Sequence, residues 1–355
     1  MNNNDDNNTF IWYILFAVIF CIIVFFLYIA GGKLQKKSDY SPQENIYIKN
    51  EKEIEQLQNT EPKAKIPEQG FTRYKFSYKY TIKIKGNISN LTFKVFLPQD
   101  EKGIQYISSL KITPQPRKMY HDGVNNIAEY SFYDLNTREI PFVMEGIADL
   151  RTYDLTTAKA INKNIYPEKN LPRYLNAEPY IESNDPYIRK IAAGIKGSTQ
   201  EKVVEEIFDY VQDHIRYTLI NKIASAKEAL LLGYGKCSEY SVIMTALCRA
   251  KNIPARVVTG DIARDKDTKH NWVEVYFKEY GWVTYDPTEM GTLVYRYRGK
   301  NIEKTEKRVN AAILKNKYLT LARNKLSPWY ISYSVDGGSN GNVSVDEVIV
   351  INKIK

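Results

Sequence analysis

The chain is poor in the residues that build stapled or metal-bound folds: its 355 residues include three cysteines and three histidines. Cys21 lies inside an apolar run, whereas Cys237 and Cys248 fall in one helical pattern. A rise of ~1.5 Å per residue sets those two roughly 16 Å apart, too far for a disulfide. There is therefore no disulfide framework, and with no CxxC pair there is no zinc clip. No acidic loop of EF-hand type calls for calcium. No basic stripe with interleaved aromatics accompanies the net charge of +9. That removes nucleic acid from the expected partners and leaves a mild attraction to anionic lipid or cell-wall polymer. No cofactor is implied.

What is present divides the chain by texture. After a short polar start (1–9), the run FIWYILFAVIFCIIVFFLYIA carries neither charge nor proline, enough to cross a hydrocarbon core of roughly 30 Å. A cleaved signal peptide would need a basic start and a shorter apolar core, and MNNNDDNN supplies neither. Residues 10–31 are thus expected to form a retained transmembrane helix contacting the lipid bilayer. Lys33, Lys36 and Lys37 after it, against Asp5 and Asp6 before it, favour a cytoplasmic side for the remainder. Residues 32–70 are polar and proline-punctuated, a linker or stalk. From 71 to 155 the pattern alternates, as in Tyr74-Lys75-Phe76-Ser77-Tyr78-Lys79-Tyr80 and Leu91-Thr92-Phe93-Lys94-Val95-Phe96. Such runs between turns predict an antiparallel β-sandwich. His121, in a polar loop, reads as a solvated histidine.

Helical signals then take over. Asp185-Pro186 is a cap with proline at the first position, and Ser198 with Glu201 and Ser225 with Glu228 are capping boxes. Gly233 and Gly235 interrupt the pattern just before Cys237, so that cysteine should begin a helix that ends before Pro254. A thiol there meets free N–H groups and the positive end of the helix dipole, which stabilise a thiolate. Strands are expected over 256–260, 271–277 and 282–285. Lys278-Glu279-Tyr280-Gly281 reads as a hairpin turn, placing His270 at the start of one strand beside Asp286 at the end of the next. A carboxylate so placed can hold one imidazole nitrogen and leave the other for a thiol. Cys248, deeper in the helix, reads as core, His214 as a helix-end cap, and Glu274 as a salt-bridge partner. Trp272 and Trp282 can wall a cleft or fill the core. The tail, 291–355, ends in two strand-like segments, 329–333 and 343–351, around a Gly/Ser/Asn loop, which reads as a hairpin.

The blocks Gly233-Tyr234-Gly235-Lys236-Cys237-Ser238-Glu239-Tyr240, Ile253-Pro254-Ala255-Arg256-Val257-Val258-Thr259-Gly260, His270-Asn271-Trp272-Val273-Glu274-Val275 and Gly281-Trp282-Val283 with Asp286-Pro287-Thr288 resemble the transglutaminase-like superfamily. Their order and dispersion make the resemblance specific, from about Tyr180 to Glu289. It departs at Asn271, where the family often has alanine. The resemblance implies a papain-like transglutaminase core (156–290). With the β-sandwich (71–155) and the N-terminal transmembrane helix before it and a C-terminal β extension (291–355) after it, the chain is expected to be α+β. The resemblance further implies Cys237 as nucleophile, His270 as base and later acid, and Asp286 as the residue that orients it. Tyr217 and Trp272 become candidate substrate contacts. The expected chemistry is acyl transfer or amide hydrolysis on a protein or peptide substrate through a thioester. The alternative is a catalytically silent scaffold of the same fold that binds envelope or membrane partners.

Overall fold

Alternation dictates the first half of the described chain. In the computed structural model, residues 70–153, 171–220, 222–263, 269–288, 317–335 and 341–354 are described. Strand β1 (Phe71–Lys85) turns Tyr74, Phe76, Tyr78, Tyr80, Ile82 and Ile84 to one buried side, every second residue, as a pleated strand must. It is followed by β2 (Ile88–Leu97), β3 (Gln105–Thr113), β4 (Lys118–His121), β5 (Asn126–Leu135) and β6 (Arg138–Arg151). β1, β6 and β3 form one antiparallel sheet, and β2, β5 and β4 a second. The two sheets pack face to face through aromatic rings, with Phe93 of β2 5.1 Å from Phe142 of β6 and 6.0 Å from Tyr80 of β1.

A 3-10 turn (Leu171–Leu175) leads to α1 (Pro186–Gly194), α2 (Gln200–His214), β7 (Arg216–Tyr217), α3 (Ala226–Leu232), β8 (Tyr234–Gly235) and α4 (Cys237–Ala250). Asp185 caps α1 as expected, its carboxylate accepting from the Tyr187 amide at 2.8 Å. Ser225 likewise caps α3. The cap of α2 is Thr199 and not Ser198, because the Thr199 hydroxyl is the one that reaches the Lys202 amide. α4 packs against the other helices on one side and against β9 (Ala255–Ile262) and β10 (Lys269–Phe277) on the other. β11 (Gly281–Tyr285) returns antiparallel to β10 through the predicted turn, with Val273 opposite Tyr285 and Phe277 opposite Gly281.

The tail departs from the expected hairpin. β12 (Tyr318–Arg323) joins β9, completing the sheet that packs on α4, in the order β11-β10-β9-β12. β13 (Trp329–Ser334) pairs with β2, and β14 (Asn342–Lys353) with β1, so the two strands enter opposite sheets and never pair with each other. The cause is burial: Trp329 and Ile331 from one side, and Val345, Ile349 and Ile351 from the other, all reach the sandwich core. A two-stranded hairpin left in solvent could not bury them. The expected membrane helix (10–31) and nearly all of the linker (32–70) lie outside the described residues. Among the described residues no helix is long and apolar enough to cross a membrane.

Candidate active site

Cys237 is delivered to the start of α4 by a tightly held loop. α3 ends at Gly233 in the left-handed region (φ 70°), and the Tyr234-Gly235 segment then pairs in parallel with Arg216-Tyr217. Beneath it lies Glu239, fully enclosed. One oxygen of its carboxylate accepts from the Lys236 amide (2.9 Å) and the Ser238 hydroxyl (3.0 Å), and the other from the Ala224 amide (3.0 Å). A Cβ on Gly235 would stand 2.4 Å from the Cβ of Glu239, so no other residue lets the loop lie so close. The negative charge in the first turn of α4 also complements the helix dipole. Cys237 follows as the first helical residue, half-buried, with its thiol facing His270.

His270, at the second position of β10, directs Nε2 to Asp286 Oδ2 at 2.7 Å. The ring's other nitrogen, Nδ1, is thereby left for the Cys237 thiol, which lies near enough for the two groups to shift each other's titration. Asp286 is held from three directions besides the imidazole. The Thr288 hydroxyl (2.6 Å) and amide (3.0 Å) donate to Oδ1, and the Tyr318 hydroxyl donates to Oδ2 at 2.6 Å. The Thr288 hydroxyl also lies 3.3 Å from His270 Nε2. His270, Asp286 and Thr288 are all buried, which makes each charge and dipole count for more than it would in water.

The titration follows from that geometry. Burial by itself would push the Cys237 thiol up. The hydrogen bond to His270, its charge and the Asn271 amide outweigh that, and the thiol falls below its ordinary value. Burial opposes the imidazolium too, yet the Asp286 carboxylate beside it lifts His270 to about 10. Asp286 itself lies well below the usual carboxylate range: the adjacent imidazolium and the Thr288 and Tyr318 hydroxyls overcome its burial. Each group thus favours the charged form of the other: the imidazolium lowers the thiol, and the sulfur helps to raise the histidine. Cys248 is the contrast. It is fully enclosed in the same helix, and burial drives its thiol far upward.

The other candidates separate clearly. Trp272 is fully enclosed, its ring 6.1 Å from His270 and 5.3 Å from Tyr318, so it backs the histidine from within the core and offers a substrate no surface. The strand parity that sets it on the same side as His270 also carries it inward. Tyr217 remains half-buried beside the Gly235 loop, 6.1 Å from the Tyr240 ring. Trp282 stacks under the Arg256 guanidinium at 3.9 Å. Glu274 is ion-paired to Arg256 (2.7 Å) and Arg323 (2.8 Å). His214 contacts the Tyr210 carbonyl in the last turn of α2, and exposed His121 meets the Asn126 side chain. Three residues close to the site carried no assigned role in the sequence. Glu239 and Thr288 had local signals, an acid in the first helical turn and an Asp-x-Thr turn whose hydroxyl and amide can fold back on the aspartate. Tyr318 had none.

The segment that carries these residues is similar to known proteins. The family model of the transglutaminase-like superfamily matches residues 188–287, the stretch from α1 to the residue after Asp286. Those residues form a transglutaminase-like domain. The uncharacterized protein YebA of Bacillus subtilis (strain 168) is 24% identical over 192 residues, 43% of this chain and 26% of that protein. The chain thus spans about a quarter of the length of this curated relative. A crystal structure of a candidate cysteine protease from Cytophaga hutchinsonii superimposes with a TM-score of 0.58 at 17% identity, over 81% of this chain and 92% of that one. At that identity the likeness is one of fold. The periplasmic domain of TgpA from Pseudomonas aeruginosa overlaps more loosely, with a TM-score of 0.34 at 14% identity over 65% of this chain and 92% of that one.

Proposed function

We infer that this chain is a thiol-dependent acyl transferase or amide hydrolase acting on protein or peptide substrates. The observation that supports the reading is His270, bonded to the buried Asp286 carboxylate at 2.7 Å and close enough to Cys237 to lower its thiol. Cys237, as thiolate, attacks the amide carbonyl and forms the carbon–sulfur bond. The His270 imidazolium gives its proton to the departing nitrogen as the carbon–nitrogen bond breaks, leaving a thioester. An amine or water then attacks the thioester carbonyl and passes a proton back to His270, and the sulfur leaves as thiolate. Asp286 orients the ring and stabilises its positive charge throughout without taking the proton. Whether amine or water completes the cycle depends on how well water is excluded from the cleft.

The test is the pH dependence of Cys237 alkylation by iodoacetamide, followed by mass spectrometry of adducts formed with an amine donor and a glutamine-containing peptide. Because the folded thiol titrates below its ordinary value, the reactive form should be present below the free-thiol pKa of about 8.5 and be lost only as pH falls further. In His270→Ala the acid limb should move up toward that free value, since the imidazolium that stabilised the thiolate is gone. The same unshifted titration in both proteins would leave a silent scaffold as the better reading.

The apolar run at 10–31 adds a proposed location, single-pass in a bilayer. Deleting residues 1–32 should move the protein from the membrane to the soluble fraction with the alkylation profile unchanged. Loss of that profile in the soluble product would show that the segment supports the domain itself.

A further inference from the structure

β12 is built into both halves of the molecule. Leu319 and Leu321 lie in the sandwich core, and Ala322 packs with Phe96 and Ile127 of the second sheet. Tyr318 belongs to the core of the catalytic side. One edge of the strand pairs with β9, so closely that a Cβ on Gly260 would stand 2.0 Å from the Leu319 carbonyl oxygen. Among the described residues the other edge has no strand beside it, because β12 ends its sheet. Two buried amide side chains from the sandwich satisfy it instead.

Gln105 donates Nε2–H to the Thr320 carbonyl (3.1 Å) and accepts the Thr320 amide (2.8 Å). Asn125 does the same at Arg323, donating to its carbonyl (3.0 Å) and accepting its amide (2.7 Å). A side-chain amide offers one donor and one acceptor side by side, as a neighbouring strand does, so each substitutes for a missing backbone partner. Buried backbone groups left without such partners are costly, which makes the hold specific as well as strong.

We propose that β12 is a strap by which the sandwich sets the active site: Gln105 and Asn125 fix its outer edge, and Tyr318 at its start carries that constraint to Asp286. Tyr318 is then a positioning residue. Its hydroxyl fixes the same carboxylate oxygen that binds His270, while Thr288 fixes the other. With both oxygens held, the carboxylate plane is set and His270 is presented to the thiol. The transglutaminase-like segment 188–287 contains Cys237, His270 and Asp286, but neither Tyr318 nor the amides that hold its strand. The sandwich is on this view a component of the catalytic apparatus. The inference rests on the thiol-relay reading and extends it.

The experiment is a double-mutant cycle on the full chain with Tyr318→Phe and Gln105→Met, read by the pH profile of Cys237 alkylation and by amine incorporation into a glutamine-containing peptide. Phenylalanine keeps the ring packed against Trp272 and removes only the hydroxyl. Tyr318→Phe should lower turnover about 10-fold or more, the usual cost of losing an outer hydrogen bond to a working group, and move the alkylation limb toward that of a free thiol. Gln105→Met should shift the limb the same way and add little in the Tyr318→Phe background, since both act through one contact. If Gln105→Met does not fold, Asn125→Ser completes the same cycle. A Tyr318→Phe protein with the wild-type profile, or a Gln105 effect that is undiminished without the Tyr318 hydroxyl, overturns the strap. Alkylation shifts without any turnover in the wild type would uphold the strap and reject acyl transfer. A wild-type thiol that titrates like free cysteine rejects both.

Discussion

Cys237→Ala should reduce turnover to background, a loss on the order of 10⁴-fold or more, with the fold retained. The size follows from chemistry: the nucleophile forms the covalent intermediate, and among the described residues no second thiol can replace it. Cys248 is enclosed within the same helix and its proton is held tightly by burial. The fold should survive because the sulfur is the only atom lost, at a half-buried helix start whose geometry is set by Glu239 and the loop amides. Asp286→Asn gives a graded comparison. The amide keeps the shape of the carboxylate but loses its charge, and can present an N–H where His270 needs an acceptor, so a loss on the order of 10³ to 10⁴-fold is expected. Amine incorporation and circular dichroism on the same preparations are the measurements. Turnover persisting in Cys237→Ala would remove the thiol from the reaction altogether.

The largest stability effect should come from Glu274, which carries no chemistry. Its carboxylate is buried between two guanidinium groups: Arg256 donates through Nε at 2.7 Å, and Arg323 through Nε and Nη2, each at 2.8 Å. Both arginines are themselves buried, Arg256 against the Trp282 face and Arg323 in a second ion pair with Glu101 of the sandwich. The arginines hold the Glu274 carboxyl well below its ordinary value in spite of its burial. Among the described residues, Glu274→Leu would leave Arg256 with the Tyr174 hydroxyl and the Trp282 face, both neutral, and Arg323 with Glu101. Breaking a buried pair from one side costs about 3–5 kcal/mol, most of it the penalty of an uncompensated charge. The denaturant midpoint should fall accordingly with the slope unchanged. A loss under about 1 kcal/mol would mean that water or a neighbour compensates the arginines.

The parts of the molecule legible in the sequence are those fixed by local rules. The buried alternation of β1 and β2, the caps Asp185 and Ser225, the start of α4 at Cys237 and the turn joining β10 to β11 are each written in a few consecutive residues. His270 and Asp286 come together because that one turn sets the register of two strands. What could not be read depends on partners far away in the chain. Trp272 has the alternation of a cleft wall and also of a core residue, and only the approach of Tyr318 decides between them. The tail shows strand patterns, but nothing within 329–353 says that its strands part company to enter different sheets. Tyr318 follows the same logic: no spacing rule links a tyrosine in the tail to an aspartate at the end of β11.

The dispersal of the tail bears on the order in which the chain can fold as it is made. Ile351 pairs with Phe76 and Ile331 with Phe93, so each sandwich sheet takes an outermost strand from residues 329–353, more than 200 residues further along the chain. β1 and β2 are made well before β13 and β14 and must wait for them, and the loop they close contains the whole helical core. Helices α1 to α4, whose contacts are nearer in sequence, can assemble meanwhile. Until β13 and β14 are made, β1, rich in tyrosine and isoleucine, and β2, carrying Leu91, Phe93 and Val95, stand as bare sheet edges, the kind of surface that recruits other chains. A nascent chain stalled before Trp329 would expose both edges at once, which makes the final strands a guard against misassembly as well as a closing piece of the sandwich.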